Sequence, residues 1–384
     1  MVSAWLQHLE AGVITVTHTN GAVHRSAASK DGPGAEITIH RNAAIRKMLL
    51  RGDIGFAEAY MDGDWSTPDL QAVIDFAYAN EIALEGPMRA SALFAAAFRF
   101  WHRLRANTRS GSQRNIAYHY DLGNEFYRVW LDDSMTYSSA LFEQPEMSLA
   151  DGQRAKYRRI IETLEISPSD HVLEIGCGWG GFAEMAVRET GCRVVCITLS
   201  KEQAAFAEKR MADAGIADRV EIRIQDYRDV REYFDKIVSI EMFEAVGEEN
   251  WPVYFQAVHE RLKPGGKADL QIITVAEDRF DDYRRNIDFI RRYIFPGGML
   301  PTKARLRHEV EQLGMRFREV VAFRHSYGET LRRWFRTFEE RWADINAQGF
   351  DARFRRMWKL YLCGCVSGFE SGATDVSQFL VEKP

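Results

Sequence analysis

HVLEIGCGWGGFAEM, residues 171–185, joins a short apolar run to a helical one through a turn crowded with glycine. Val172, Leu173 and Ile175 read as a buried strand. Gly176, Gly178, Gly180 and Gly181 follow, then Phe182, Ala183, Met185 and Ala186 at helical spacing. Such a turn lets backbone approach a ligand closely and aims the free N–H groups of a helix start at it. The glycine pattern alone also suits a tight βα turn that binds nothing, so the surrounding order must decide.

Downstream, strand and helix patterns alternate. Arg193–Thr198, Val220–Ile224, Phe234–Ile240 and residues 268–275 read as strands. Residues 201–214 and 251–262 read as helices, and Leu149–Leu164 reads as a helix leading into the first strand. This alternation predicts a parallel sheet with helices on both faces. An insertion spans residues 284–301, residues 327–369 look mainly helical, and residues 377–381 offer a late strand.

The first 80 residues predict a small mixed domain. Residues 13–17 and 35–40 are β-favouring, and Asn20-Gly21 between them signals a hairpin. Asn42 is the expected cap of a helix closed by Gly52, and a second helix spans residues 69–80. Asp62, Asp64 and Asp69 lack calcium-loop spacing and read as a solvated turn.

Residues 86–120 contain no acid but carry Arg89, Arg99, Arg103, Arg105, Arg109 and Arg114. Phe94, Phe98, Phe100, Trp101 and Leu104 are interleaved with them. Such a segment suits an anionic membrane surface, and equally a packed helix with a solvated Arg face. Residues 108–114 read as a flexible linker.

The chain has 384 residues, 46% hydrophobic and 27% charged, with net charge −5. That balance excludes a protein basic all over, so nucleic acid is not an expected partner. No apolar run approaches the ~18 residues of a membrane span, and the first residues lack a secretory pattern, so a cytosolic protein is expected. Cys177, Cys192, Cys196, Cys363 and Cys365 have no paired C-x-x-C spacing and read as reduced, buried thiols. No metal is expected, and a lone His119 reads as structural.

Ligands of open α/β sheets lie beyond the carboxyl ends of the strands. Here those ends carry the glycine turn, Thr198-Leu199-Ser200 with Gln203, Gln225-Asp226, and residues 240–244. A dinucleotide fold would place an acid about 20 residues past the glycines; this chain has Thr198. The arrangement looks like that of S-adenosylmethionine (SAM) methyltransferases, with Asp226 placed for an adenine amino group.

From about residue 117 onward the chain resembles the cyclopropane-fatty-acid synthases and their mycolic acid relatives. The resemblance rests on YHYDLGNEFY (118–127), MTYSSA (135–140), LEIGCGWGG (173–181), ITLSKEQ (197–203), QDYRD (225–229), EMFEAVG (241–247) and YIFPGGMLP (293–301). It implies a Rossmann-like class I SAM methyltransferase sheet with helical insertions at 117–384. A linker at 106–116 and a small N-terminal α+β domain at 1–105, for lipid docking or homodimerisation, precede it. By resemblance SAM contacts fall on Tyr137, Ser138, Gly176, Gly178, Gly180, Thr198, Leu199, Ser200, Gln203, Gln225 and Asp226. The implied partner is an unsaturated phospholipid acyl chain, met at the inner face of the membrane by a peripherally bound enzyme.

Adding a methyl to an isolated alkene leaves a carbocation on the chain. The site must be dry, lined with aromatic faces, and equipped with one base. Tyr137, Phe243, Tyr293, Phe295 and Tyr327 are the candidate aromatics, each with a plain core role as the alternative. In the better-known bacterial members the base is a bicarbonate in a protein cage. By resemblance the cage here is Glu244, Tyr327, Ser139 (for Cys), Gln271 (for His) and the Ile273 backbone, with Ala245 replacing a further His. Ser and Gln still offer hydrogen bonds, so bicarbonate is expected to assist. The substitutions leave ring closure against methyl branching open. A small-molecule methyltransferase on a soluble acceptor is the remaining alternative.

The Arg-rich segment predicts salt-sensitive binding to anionic vesicles: sedimentation with them should weaken as salt rises from about 0.05 to 0.5 M. Binding that ignores salt would refute an electrostatic contact.

Overall fold

The computed structural model describes residues 9–26, 30–85 and 122–384. The Arg-rich stretch 86–120, the linker 106–116 and His119 lie outside the described residues.

A first unit is built on β1 (Ala11–Thr17), β2 (Val23–Arg25), β3 (Lys30–Ile39) and β4 (Trp65–Ser66), in sheet order β2-β1-β3-β4. Asn20-Gly21 does make a hairpin, but it pairs β1 antiparallel with β2, while β3 lies parallel to β1. With only three residues, β2 is too short for periodicity to reveal. The helix Ala43–Met61 kinks at Gly52 (φ 60°, ψ −134°) and resumes, so glycine bends rather than closes it. Asn42 makes no capping bond there, being itself in helical geometry. Asp69 does cap the helix Leu70–Ala79, accepting from the Ala72 N–H at 3.0 Å. Asp64 is not in a solvated turn: it is 2% exposed and paired with Lys47 Nζ at 2.6 Å.

The large sheet comprises β5 (His171–Ile175), β6 (Arg193–Thr198), β7 (Val220–Ile224), β8 (Phe234–Ile240), β9 (Leu262–Val275), β10 (Arg316–Ala322) and β11 (Thr374–Glu382). Its order is β10-β11-β9-β8-β5-β6-β7. The run from β7 to β9 is parallel, but β11 enters antiparallel between β9 and β10, so the sheet is mixed rather than purely parallel. The sequence pattern missed β10 because this edge strand, RFREVVA, is largely solvent-facing and shows no clean alternation.

Alternation along the parallel strands sends neighbours to opposite faces. Leu173, Val195 and Ile237 pack with Phe255 and Val258 of the helix Trp251–Arg261. Val172, Val194 and Val238 pack with Ile160 of the helix Leu149–Leu164 and Phe182 of the helix Gly181–Thr190. β6 and β8 flank β5 on either side, so the strand order reverses there and opens a crevice beyond its carboxyl end.

The first unit shares its core with the far end of the chain. Ile14, Trp65, Val73 and Phe76 cluster with Leu360 and Cys363 of the helix Ala352–Glu370. Gln71 Nε2 donates to Ser367 Oγ at 2.8 Å, and Ser367 Oγ donates to Asp75 Oδ1 at 2.6 Å. The five cysteines are free, four of them buried and Cys365 half-buried.

The glycine turn is close-packed at its first residue. Gly176 has φ +80°, and a Cβ there would stand 2.6 Å from Met242 Cγ. Gly176→Ala should therefore lose about 1–3 kcal/mol of stability in denaturant unfolding. Gly178, with open space at the Cβ position, should tolerate alanine better. Equal stability of the two variants would contradict this packing.

Candidate active site

Beyond β5–β8 lies a cavity walled by Gly176, Gly178, Thr198, Leu199, Gln203, Gln225 and Asp226, with Tyr137 and Ser138 across from them. Thr198 Oγ1 donates to Gln203 Oε1 at 2.9 Å, tying the end of β6 to the next helix. Asp226 is engaged by Arg228, Nε at 2.8 Å and Nη2 at 2.6 Å, which fixes the loop after β7. Two residues assigned to this set stand back from the cavity. Ser200 caps the helix Lys201–Asp213, its Oγ accepting from the Gln203 N–H at 3.2 Å. Gly180 faces Met211 and Ala207, where its lack of a side chain allows helix packing. A Cβ on Gly178 would meet nothing within 4 Å, so the turn is open toward the cavity. Open glycine backbone and polar groups at three strand ends fit a nucleoside-bearing ligand such as SAM.

A second cavity, of about 1430 Å³, runs from this crevice into the first unit. Sites for ordinary small molecules measure roughly 300–1,000 Å³. Its far walls are apolar, with Ile14, Ile37, Phe56 and Ile74 among them. Its near walls include Tyr327, Phe295, Met299, Glu244 and Ile273. Tyr137, Glu241 and Ala245 line both cavities, so the two meet there.

Of the five candidate aromatics, Tyr137, Phe295 and Tyr327 reach the large cavity. Phe243 is instead a core residue, stacked on Trp251 at 5.7 Å and packed on Tyr254 and Phe255. Tyr293 ties the insertion to the first unit by donating to Glu58 Oε1 at 2.7 Å. Tyr361, which periodicity left among plain helical residues, lines the cavity and shares a 2.7 Å hydroxyl contact with Tyr137.

The expected cage closes differently. The Ser139 N–H donates to Glu241 Oε1 at 2.9 Å, Gln271 Nε2 to the same oxygen at 2.8 Å, and the Tyr327 hydroxyl to Glu241 Oε2 at 2.6 Å. The Ser139 hydroxyl turns away to the Ala140 carbonyl at 2.8 Å. Ile273 N–H donates to Glu244 Oε1 at 2.6 Å, while the buried Glu244 Oε2 has no hydrogen-bond partner. The donors expected to hold bicarbonate are thus engaged by side chains of the protein. With their hydrogen bonds filled in this way, these residues do not fit an added bicarbonate.

Glu241 falls among the strand-end residues 240–244 and stands three residues before Glu244 in EMFEAVG, but nothing in the sequence gives it a role of its own. Around it lies a buried charge network that single-residue reading also missed. Lys156 is fully buried on the helix Leu149–Leu164 and donates to Ser138 Oγ at 2.6 Å. Burial pushes its ammonium down to about 7, against the pull of the Glu241, Asp132 and Glu174 carboxylates. Burial, and then the charge of Glu241, push Glu244 up to about 8. Burial raises Glu241 too, opposed by Lys156 and by its three donors. Of two neighbouring carboxyls only one is readily ionised, and here the better-supported anion is Glu241. Gln378 on β11 donates from Nε2 to Gln271 Oε1 at 3.2 Å, steadying the amide that grips Glu241.

The family model described as mycolic acid cyclopropane synthetase matches residues 107–379. The tuberculostearic acid methyltransferase UfaA1 of Mycobacterium tuberculosis is 38% identical over 365 residues, 92% of this chain and 84% of that protein. The cyclopropane-fatty-acyl-phospholipid synthase of Escherichia coli K12 is 33% identical over 340 residues, 88% of this chain and 85% of that one. Among solved structures, the mycolic acid cyclopropane synthase CmaA1 complexed with SAH and CTAB superposes with a TM-score of 0.65 at 30% identity. It covers 71% of this chain and 98% of its own.

Burial pushes Glu174 up to about 8 from 4.5, although Cys196 Sγ and a backbone N–H donate to it. Between those values the folded protein holds a proton that the unfolded chain releases. The stability linked to this group is therefore full below pH 4.5 and declines as pH rises to about 8. Glu174→Gln should gain stability relative to the wild type between pH 5 and pH 8 in thermal unfolding. A stability difference independent of pH would exclude a neutral buried Glu174.

Proposed function

Since this chain belongs to the mycolic acid cyclopropane synthetase family and is a SAM-dependent, lipid-modifying methyltransferase, we propose that it adds a one-carbon unit to the double bond of an unsaturated fatty acyl chain in a membrane phospholipid. The observation that carries this reading is the junction of the two cavities at Tyr137, Glu241 and Ala245. A methyl donor in the crevice and a long apolar chain in the larger cavity would meet at that wall.

SAM would rest on the turn at Gly176 and Gly178, on Thr198, Leu199 and Gln203, on Gln225 and Asp226, and on Tyr137 and Ser138. When bound it supplies an electrophilic methyl group. Gly180 and Ser200 act behind these residues by holding the two helix starts in place. The apolar walls exclude the water that would otherwise trap a cation on the acyl chain. Tyr137, Phe295 and Tyr327 offer ring faces to positive charge. Ser139, Gln271, Ile273, Glu244 and Tyr327 form the polar side of the reacting centre.

The reading extends to the whole chain. Residues 1–105 would serve lipid docking or homodimerisation, residues 106–116 would be a linker, and residues 117–384 would form the catalytic domain. Among the described residues no helix is long and apolar enough to cross a membrane. Docking is assigned, from the Arg and aromatic residues of 86–120, to a peripheral contact with anionic lipid at the inner membrane face. A second reading, a methyl- or methylene-branched product, is favoured by identity. The relative named as a methyltransferase aligns at 38% over 92% of the chain, and the E. coli cyclopropane synthase at 33% over 88%.

Incubation with methyl-deuterated SAM and monounsaturated phospholipid vesicles should yield acyl esters one carbon heavier by mass spectrometry. Uptake of hydrogen on mild hydrogenation would establish a methylene branch, and resistance would exclude one. A ring and a saturated methyl branch both resist hydrogenation, and the chain fragmentation pattern separates them. Labelling of soluble acceptors with none in lipid would overturn the phospholipid assignment.

A further inference from the structure

Glu241 stands at the one wall common to both cavities, at the carboxyl end of β8. Three donors from three separate parts of the chain hold its carboxylate: the Ser139 N–H at 2.9 Å, Gln271 Nε2 at 2.8 Å and the Tyr327 hydroxyl at 2.6 Å. Its backbone lies at φ +50°, a strained conformation that a non-glycine residue keeps only where its surroundings impose it. The side chain is thus held in place at both ends. A carboxylate with two oxygens has about four lone-pair positions, and three are filled by these donors. The neighbouring Glu244 presents an unpartnered, buried Oε2 on the same wall.

We infer that Glu241 is a built-in base, whose carboxylate takes the place of an added bicarbonate and accepts the proton that ends the reaction. The inference rests on the acyl-chain reading above. After methyl transfer the acyl chain carries a positive charge. One C–H bond breaks, and its proton passes to a Glu241 oxygen. The electron pair left behind closes a new C–C bond to give a ring, or becomes a C=C bond to give a methylene branch. The product is neutral, Glu241 is protonated, and the proton leaves to solvent before the next turnover. Neither oxidant nor reductant is required.

Glu244 is the weaker candidate for the acceptor, because a single donor, the Ile273 N–H, meets its carboxyl where three meet Glu241, and burial with the neighbouring carboxylate favours its neutral form. It supports the site by accepting from Ile273 and by closing the polar side of the cavity. Tyr327 positions Glu241 through its hydroxyl, as Gln271 does through its amide, itself held by Gln378 at 3.2 Å. The chain therefore needs no imidazole at position 271 or 245: a fixed carboxylate does not have to be gathered from solution.

The test follows labelled acyl product from methyl-deuterated SAM and monounsaturated phospholipid vesicles in CO2-free buffer, with and without added bicarbonate. The wild type should turn over at the same rate in both. Glu241→Gln should lose roughly 10²–10⁴-fold in rate while still binding SAM, as expected for removal of a general base. Glu241→Gly opens the space between the same donors, and bicarbonate should restore part of its activity. A wild-type rate that collapses without CO2 and returns with bicarbonate would overturn the inference, and it needs no variant to fold. Full activity of Glu241→Gln would overturn it as well. Absence of labelled lipid from the wild type in either buffer would instead remove the acyl-chain reading, and the inference with it.

Discussion

The grip on the Glu241 carboxylate ties the reacting centre together. Its donors come from the loop before the helix Leu149–Leu164, from the middle of β9, and from the helix Arg324–Glu340. An ionised carboxylate inside a protein is tolerable only when hydrogen bonds and a counter-charge replace its lost water. Here three donors and the charge of the buried Lys156 work toward that, although burial still holds Glu241 above the ordinary carboxylate range. The same demand fixes the relative positions of three segments that the chain order keeps far apart. A shift of any one would leave a buried anion short of a partner, which costs more than the bond itself contributes.

That constraint also explains the shape of the site. β11 threads between β9 and β10, where Gln378 reaches Gln271. The last long helix, Ala352–Glu370, brings Tyr361 to Tyr137 and joins the core of the first unit through Leu360 and Cys363. The large cavity is therefore not a feature of the methyltransferase sheet alone. One wall belongs to the first unit, so the space available to an apolar chain depends on the docking of that unit against the C-terminal helix.

The two cavities divide the chemical labour. The crevice beyond the parallel strands is polar and rich in open backbone, as suits a nucleoside-bearing donor. The larger space has an apolar stretch against the first unit, Glu241 and Glu244 at the junction, and further charged residues such as Asp53, Arg279 and Asp288 along its lining. The apolar stretch keeps water from that part of the chain-binding space, and the carboxylates at the junction stand where the two cavities meet.

Much of this was legible from residue order. The parallel strands β5, β6 and β8 fell where apolar runs end in turn residues, because a strand buried on both faces leaves that trace. Gly176 and Gly178, Thr198 and Leu199, and Gln225 and Asp226 were assigned to the crevice from their places at strand ends, and they do line it. The edge strand β10 and the three-residue β2 were not legible, since neither has enough buried side chains to impose a pattern. Glu241 was invisible for a different reason. A carboxylate at a strand end looks the same in sequence whether solvent, arginine or a ring of donors surrounds it. Sequence by itself determined the parallel part of the sheet, the crevice and the family. Only the tertiary structure decided that Ser139, Gln271 and Tyr327 converge on a carboxylate of the chain's own. Convergence of residues 139, 241, 271 and 327 is a property of packing in space, and no local propensity or spacing encodes it.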